Sequence, residues 1–159
     1  NEAREQPEDM KPELAGNISS SIRLDASSPL LKKFIGEVLP SFMDGHIQNY
    51  GAPWRAVIKE GQGFNLESLW VNFQKKHEFN PPHDHGGVYS FVIWMQIPNF
   101  AFSYVTTLGK VSTFAYNMEK EAEGYMVMFP SQMLHQVFPF YESDGERISI
   151  SGNIEIKDL

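Results

Sequence analysis

The sequence predicts a mainly β chain, a sandwich or jelly roll preceded by a helical stretch. Three observations carry that expectation. Short stretches of alternating apolar and polar residues recur through the later part of the chain, at the period-2 spacing of half-buried strands. Turn residues separate them at short intervals, as at Leu108-Gly109-Lys110 and Tyr141-Glu142-Ser143-Asp144-Gly145. Helical spacing is confined to residues 27–51.

The length of 159 residues is that of one domain. Residues 1–16 are polar and acidic, with Pro7 and Pro12, and are expected to form a tail or edge segment. Ile18, Ile22 and Leu24 alternate with polar residues, predicting a short strand. Ser27-Ser28-Pro29 is a helix start, because serine caps free amides and proline is tolerated in the first turn. Leu30, Leu31, Phe34, Ile35, Val38 and Leu39 then recur at helical spacing, opposite Lys32, Lys33 and Glu37. Pro40 is expected to end or kink this helix. A second short helix is expected through Phe42, Met43, Ile47 and Tyr50, stopping at Gly51, with His46 solvated or capping.

The β core is expected over residues 67–156. From Glu67 to Lys75, Leu69, Val71 and Phe73 fall on one side and Trp70, Asn72 and Gln74 on the other. A polar turn with a solvated His77 follows. Val88 to Ile97 is almost wholly apolar, predicting burial on both faces and a cover from a helix or a second copy, so a homodimer stays open. Further strands are expected at Phe100–Thr107, Val111–Tyr116, Tyr125–Phe129, His135–Phe140 and Arg147–Ile156, with a charged loop from Met118 to Gly124.

Composition removes several function classes. A formal charge of −7 argues against phosphate-driven nucleic-acid binding. No apolar stretch is long enough to span a bilayer, and the start carries no signal-peptide pattern, so a cytoplasmic protein is expected. With no cysteine there is no disulfide, thiolate metal site or Cys nucleophile. Any metal falls to carboxylates, other oxygens or the five histidines, His46, His77, His83, His85 and His135.

The chemistry concentrates in Asn80-Pro81-Pro82-His83-Asp84-His85-Gly86-Gly87. In extended backbone, residues i and i+2 point to the same side, so His83 and His85 can face one point, as a metal requires. Downstream come Met128-Phe129-Pro130-Ser131, then His135, then Arg147-Ile148-Ser149-Ile150-Ser151-Gly152-Asn153. In the last strand Arg147, Ser149, Ser151 and Asn153 share one parity and Ile148, Ile150, Ile154 and Ile156 the other. The polar parity suits a solvated face or a polar interior. An arginine in such an interior needs a partner, and a carboxylate fits its planar fork.

From Trp70 to Asn153 the sequence resembles the iron(II)/2-oxoglutarate-dependent oxygenases, in the branch found in phages and bacteria. The matching pieces are Trp70-Val71-Asn72, Pro82 to Ser90, Phe129-Pro130-Ser131, His135 to Pro139 and Glu146 to Asn153. The resemblance implies a double-stranded β-helix with N-terminal helices outside it and Fe(II) at one end of the barrel. It implies His83 and His135 as metal ligands, Arg147 as the partner of the far carboxylate of 2-oxoglutarate, and Ser149 as an added hydroxyl. The wider superfamily has an acid two residues after the first histidine; here that residue is His85. Three arrangements stay open: a three-histidine face, two histidines with His85 behind them, or Asp84 turned inward. Tyr89, Asn72 and Tyr104 are candidate pocket residues, with core packing or strand pairing as their competing role. The implied function is 2-oxoglutarate-dependent hydroxylation of a substrate not yet defined, with peptide, free amino acid and nucleobase all open. The alternatives are a three-histidine, cupin-type dioxygenase that uses no 2-oxoglutarate, and a non-catalytic jelly roll such as a phage particle component.

Overall fold

The computed structural model describes residues 16–50, 60–98, 100–106 and 112–158. The expected N-terminal tail, the helix stop at Gly51 and the Leu108-Gly109-Lys110 turn lie outside these residues, as do the side chains of His46 and Tyr104. Among the described residues, nine strands and one long helix follow in order: β1 (Ser20–Arg23), α1 (Pro29–Tyr50), β2 (Gln62–Gln74), β3 (Asn80–His83), β4 (Tyr89–Gln96), β5 (Phe100–Thr106), β6 (Ser112–Met118), β7 (Met126–Pro130), β8 (His135–Val137) and β9 (Arg147–Asp158). They form two antiparallel sheets, a five-stranded one in the order β1-β2-β9-β4-β7 and a four-stranded one in the order β3-β8-β5-β6. The mainly β jelly roll expected from the strand pattern is therefore what the chain adopts.

Alternation dictates what each face of the larger sheet meets. Leu66, Leu69, Tyr89, Phe91, Met128 and Ile154 form one buried apolar layer, and α1 closes it with Leu39, fully buried, and Phe34, whose ring lies 5.6 Å from that of Phe91. Burial of a leucine on this scale contributes about 1.5–3 kcal/mol. Leu66 and Leu69 have opposite parity, yet both reach this layer. A register shift between Leu66 and Ser68 makes that possible, since one slipped residue reverses every side chain beyond it. Gly152 sits beneath the Phe91 ring, where a Cβ would come within 2.7 Å of it.

Two local expectations are corrected. Pro40 does not end the helix; α1 runs through it from Pro29 to Tyr50 as one element. The hydrogen bond that proline cannot make belongs to the carbonyl of Gly36. Both residues are exposed, so water reaches that carbonyl, while the adjacent Leu39 pins the helix to the sheet. Nor is the apolar run of β4 buried throughout: Met95 is 50% exposed and Gln96 is also exposed, because the strand runs past the edge of its cover. On its Phe91 and Ile93 side β4 is covered by α1, and on its Val92 and Trp94 side by Ile97, Met118, Phe129 and Phe140. Among the described residues, no helix is long and apolar enough to cross a membrane.

Candidate metal and cosubstrate site

The opposite face of the same sheet is polar. Residues of β2, β9 and β4 meet there in rows set by register: Gln74 opposite Arg147, Asn72 opposite Ser149, Trp70 opposite Ser151, and Ser90 opposite Asn153. All of these but Asn153 line one cavity with His83, His85, Phe129 and His135. Arg147 is 1% exposed, and Asn72, Gln74, Ser90, Ser131, His135 and Ser149 are also buried. The polar parity of the last strand is thus an interior face. Tyr89 belongs instead to the apolar layer under α1, in its core-packing role.

The smaller sheet brings the histidines together. His83, the last residue of β3, is the direct partner of His135, the first residue of β8, and their rings lie 4.2 Å apart. His85 comes two residues later, on the same side as the i, i+2 rule requires. Asp84 between them is exposed. One nitrogen from each of His83, His85 and His135 falls within 4.8 Å of the other two.

Hydrogen bonding fixes which nitrogens face inward. His83 Nδ1–H donates to the Pro81 carbonyl at 2.7 Å and His135 Nδ1–H to the Met133 carbonyl at 2.9 Å. A neutral imidazole carries one proton, so each leaves a lone pair on Nε2. His85 Nε2 lies 3.2 Å from His135 Nε2. Two nitrogens about 2.1 Å from one ion stand about 3 Å apart at a right angle, so this spacing suits a shared cation. Burial pushes His85 down to about 3, helped by repulsion from His135 and His83 in their charged forms. It pushes His135 down to about 4, with repulsion from His83 in the same direction and the Met133 bond and Asp84 opposing. Both are therefore neutral near pH 7, the form that binds metal. The rings are walled by Trp70, 5.8 Å from His85, and Phe129, 4.6 Å from His135.

The turn bearing His85 is latched to the barrel. His85 N–H donates to the Ser131 carbonyl at 2.9 Å, Ser131 N–H to the Val88 carbonyl at 3.0 Å, and Val88 N–H to the Ile154 carbonyl at 2.7 Å. Below them the Ser90 hydroxyl donates to Asn153 Oδ1 at 2.9 Å, so the Ser131 hydroxyl, also 2.9 Å away, donates to Ser90. Gly87 makes the approach feasible: its φ is +83°, and a Cβ would lie 2.6 Å from the Ile154 oxygen.

Arg147 lines the same cavity as the histidines. Its Nε donates to Gln74 Oε1 at 2.9 Å and its Nη1 to the Phe138 carbonyl at 2.9 Å, and its guanidinium lies 5.5 Å from the centre of the Phe140 ring. Burial lowers it to about 9, against the pull of Glu78, so it remains a cation at neutral pH. Sequence reasoning missed Gln74 as its clamp and Ser131 as a latch. Gln74 carried a signal, its shared parity with Trp70 and Asn72; Ser131 carried only its place after Pro130. His77 takes no part in the histidine cluster: it is exposed, at φ +70°, with its ring against Tyr141.

The family model described as "Putative 2OG-Fe(II) oxygenase" matches residues 68–153, more than half of the chain. Among solved structures, an oxidoreductase of the 2OG-Fe(II) oxygenase family from Burkholderia pseudomallei aligns at 14% identity and a TM-score of 0.55, covering 86% of this chain and 66% of that one. A prolyl-4-hydroxylase from Pseudomonas putida aligns at 15% identity and a TM-score of 0.55, covering 97% of this chain and 82% of that one. At such identities the likeness is one of fold. This chain thus spans about two-thirds of the length of the Burkholderia protein. A search of curated proteins finds no match.

Proposed function

The chain belongs to the 2OG-Fe(II) oxygenase family, and from that premise we propose that it is a non-haem iron(II)- and 2-oxoglutarate-dependent dioxygenase that hydroxylates its substrate. The observation that carries the proposal is the convergence of His83, His85 and His135 in a cavity that Arg147 also lines.

In this reading His83, His85 and His135 hold Fe(II) as a three-nitrogen face. The exposure of Asp84 and its absence from the cluster support His85 over Asp84 as the third ligand. Arg147 binds the far carboxylate of 2-oxoglutarate through its planar fork, and Ser149, directly along β9, adds a hydroxyl. When bound, iron and 2-oxoglutarate supply the oxidation: one atom of O2 goes into succinate as CO2 leaves, and the other enters a C–H bond of the substrate. The chain itself does three things. The carbonyls of Pro81 and Met133 hold the His83 and His135 rings in the tautomer that binds metal. Gln74 and the Phe138 carbonyl aim Arg147. Trp70, Trp94 and Phe129 line the cavity with apolar surface that excludes water.

Calorimetry tests this directly. One divalent ion per chain is expected, followed by one 2-oxoglutarate. Arg147→Ala should keep the metal and weaken 2-oxoglutarate by at least about 30-fold, as loss of one partner of a buried charge pair costs about 2–5 kcal/mol. Unchanged 2-oxoglutarate affinity would contradict the proposal. It would favour a three-histidine dioxygenase that uses no 2-oxoglutarate, a second reading supported by the cluster of nitrogens without an acid.

A further inference from the structure

Resting on the iron and 2-oxoglutarate reading above, we propose that Ser21, on β1, is a positioning residue for the cosubstrate: it turns the Asn72 amide so that its NH2 group donates to the far carboxylate beside Ser149. Ser21 lies outside residues 68–153, which the family model matches. Register brings it to the site. Ser21 on β1 is the partner of Asn72 on β2, Asn72 of Ser149 on β9, and Ser149 of Trp94 on β4. Directly opposed residues point to one face of a sheet, so these four side chains form a row across the polar face. Asn72, Ser149 and Trp94 line the cavity, and Ser21 ends the row on the outermost strand of the five-stranded sheet.

The Ser21 hydroxyl donates to Asn72 Oδ1 at 2.7 Å, and both residues are buried, at 1% and 4% exposure. The oxygen and nitrogen of a planar carboxamide point apart, so holding Oδ1 toward β1 turns Nδ2 toward β9 and Ser149. Gln74, two residues along β2, differs. Its Oε1 accepts from Arg147 and its Nε2 donates to Asn80 Oδ1, each at 2.9 Å, so both ends of that amide are engaged inside the protein. Gln74 frames Arg147, whereas Asn72 presents its donor to the cavity. Trp70, two residues the other way, stands against His85. Asn72 is therefore placed between Arg147 and the histidine face, where the carbon chain of 2-oxoglutarate passes. A hydrogen bond to a carboxylate is stronger than one to a neutral acceptor, and a donor already aimed loses little freedom on binding.

Calorimetry on the full chain loaded with Mn(II) tests this, with 2-oxoglutarate and oxalate as probes. Oxalate chelates a metal but has no far carboxylate. Asn72→Ala should weaken 2-oxoglutarate by at least about tenfold, as loss of a hydrogen bond to a charged group does, and leave oxalate within about twofold. Ser21→Ala should weaken 2-oxoglutarate by roughly three- to tenfold and have no further effect once Asn72 is alanine. A merely structural role for Ser21 would not show that dependence on Asn72. If Asn72→Ala does not fold, the pair Ser21→Ala with Asn72→Leu decides by the same comparison of probes, since replacing both partners by apolar groups is nearly neutral for stability. Unchanged 2-oxoglutarate affinity without the Asn72 amide, an equal loss of oxalate, or a Ser21→Ala effect that persists without Asn72 overturns the inference. Wild-type protein that takes up no Mn(II), or Mn(II) without 2-oxoglutarate, contradicts the iron-site reading itself, and the inference falls with it. Wild-type uptake of both, with these variants unaffected, overturns the inference alone.

Discussion

On β9, Ile154 presses into the apolar layer beneath α1, with Ile150 packed against it, while Arg147, Ser149 and Ser151, alternating with them, line the polar cavity. One strand thus serves two regions with opposite requirements. The layer under α1 gains by removing carbon from water and is judged by volume. The cavity face buries polar groups, which is unfavourable unless each is hydrogen-bonded. Its geometry matters more than its volume, and the register between β2 and β9 supplies it. Stability belongs mainly to the first face and ligand binding to the second.

The largest effect is expected where the apolar face is emptied. Leu69→Ala, in that layer and away from the cavity, should cost about 2–5 kcal/mol in urea unfolding, while the molecules still folded keep their metal affinity. A matching loss of metal affinity would mean that the faces are not separable. Gly87→Ala should breach both: φ +83° and the nearby Ile154 carbonyl make a side chain strained, at about 1–3 kcal/mol, with metal affinity falling as the His85 turn shifts. Ser131→Ala acts on the polar face. It removes only the hydroxyl bond to Ser90, since the latch to His85 runs through the Ser131 backbone, so it should cost about 1 kcal/mol in urea unfolding and leave metal affinity within about threefold. Smallest is Pro40→Ala, in α1 and away from the cavity. Restoring a helix donor at an exposed site should raise stability by about 1 kcal/mol and leave metal binding unchanged.

Much of this division was legible in the sequence. Period-2 alternation showed the strands, and the i, i+2 rule let His83 and His85 face one point, with an inward Asp84 still open because Pro82 and Gly86 can break the parity. The parity of Arg147, Ser149 and Ser151 was visible too, but whether that face met water or an interior depended on the second sheet, which alternation cannot show. The Gln74–Arg147 clamp joins residues distant in sequence and follows from register, which the bulge at Leu66/Ser68 resets. The unbroken helix through Pro40 was missed for a similar reason. Proline's local cost is written in the sequence, whereas the burial of Leu39 that offsets it is a tertiary fact.

The central claim is that the polar face holds iron(II) and 2-oxoglutarate together. Anaerobic titration of iron(II) into the protein, with and without 2-oxoglutarate, tests it most directly by visible absorption. A charge-transfer band should appear only when both are present, saturate at one iron per chain, and vanish in His135→Ala. No band at saturating concentrations of both would contradict the account and leave a jelly roll whose histidines serve some other end.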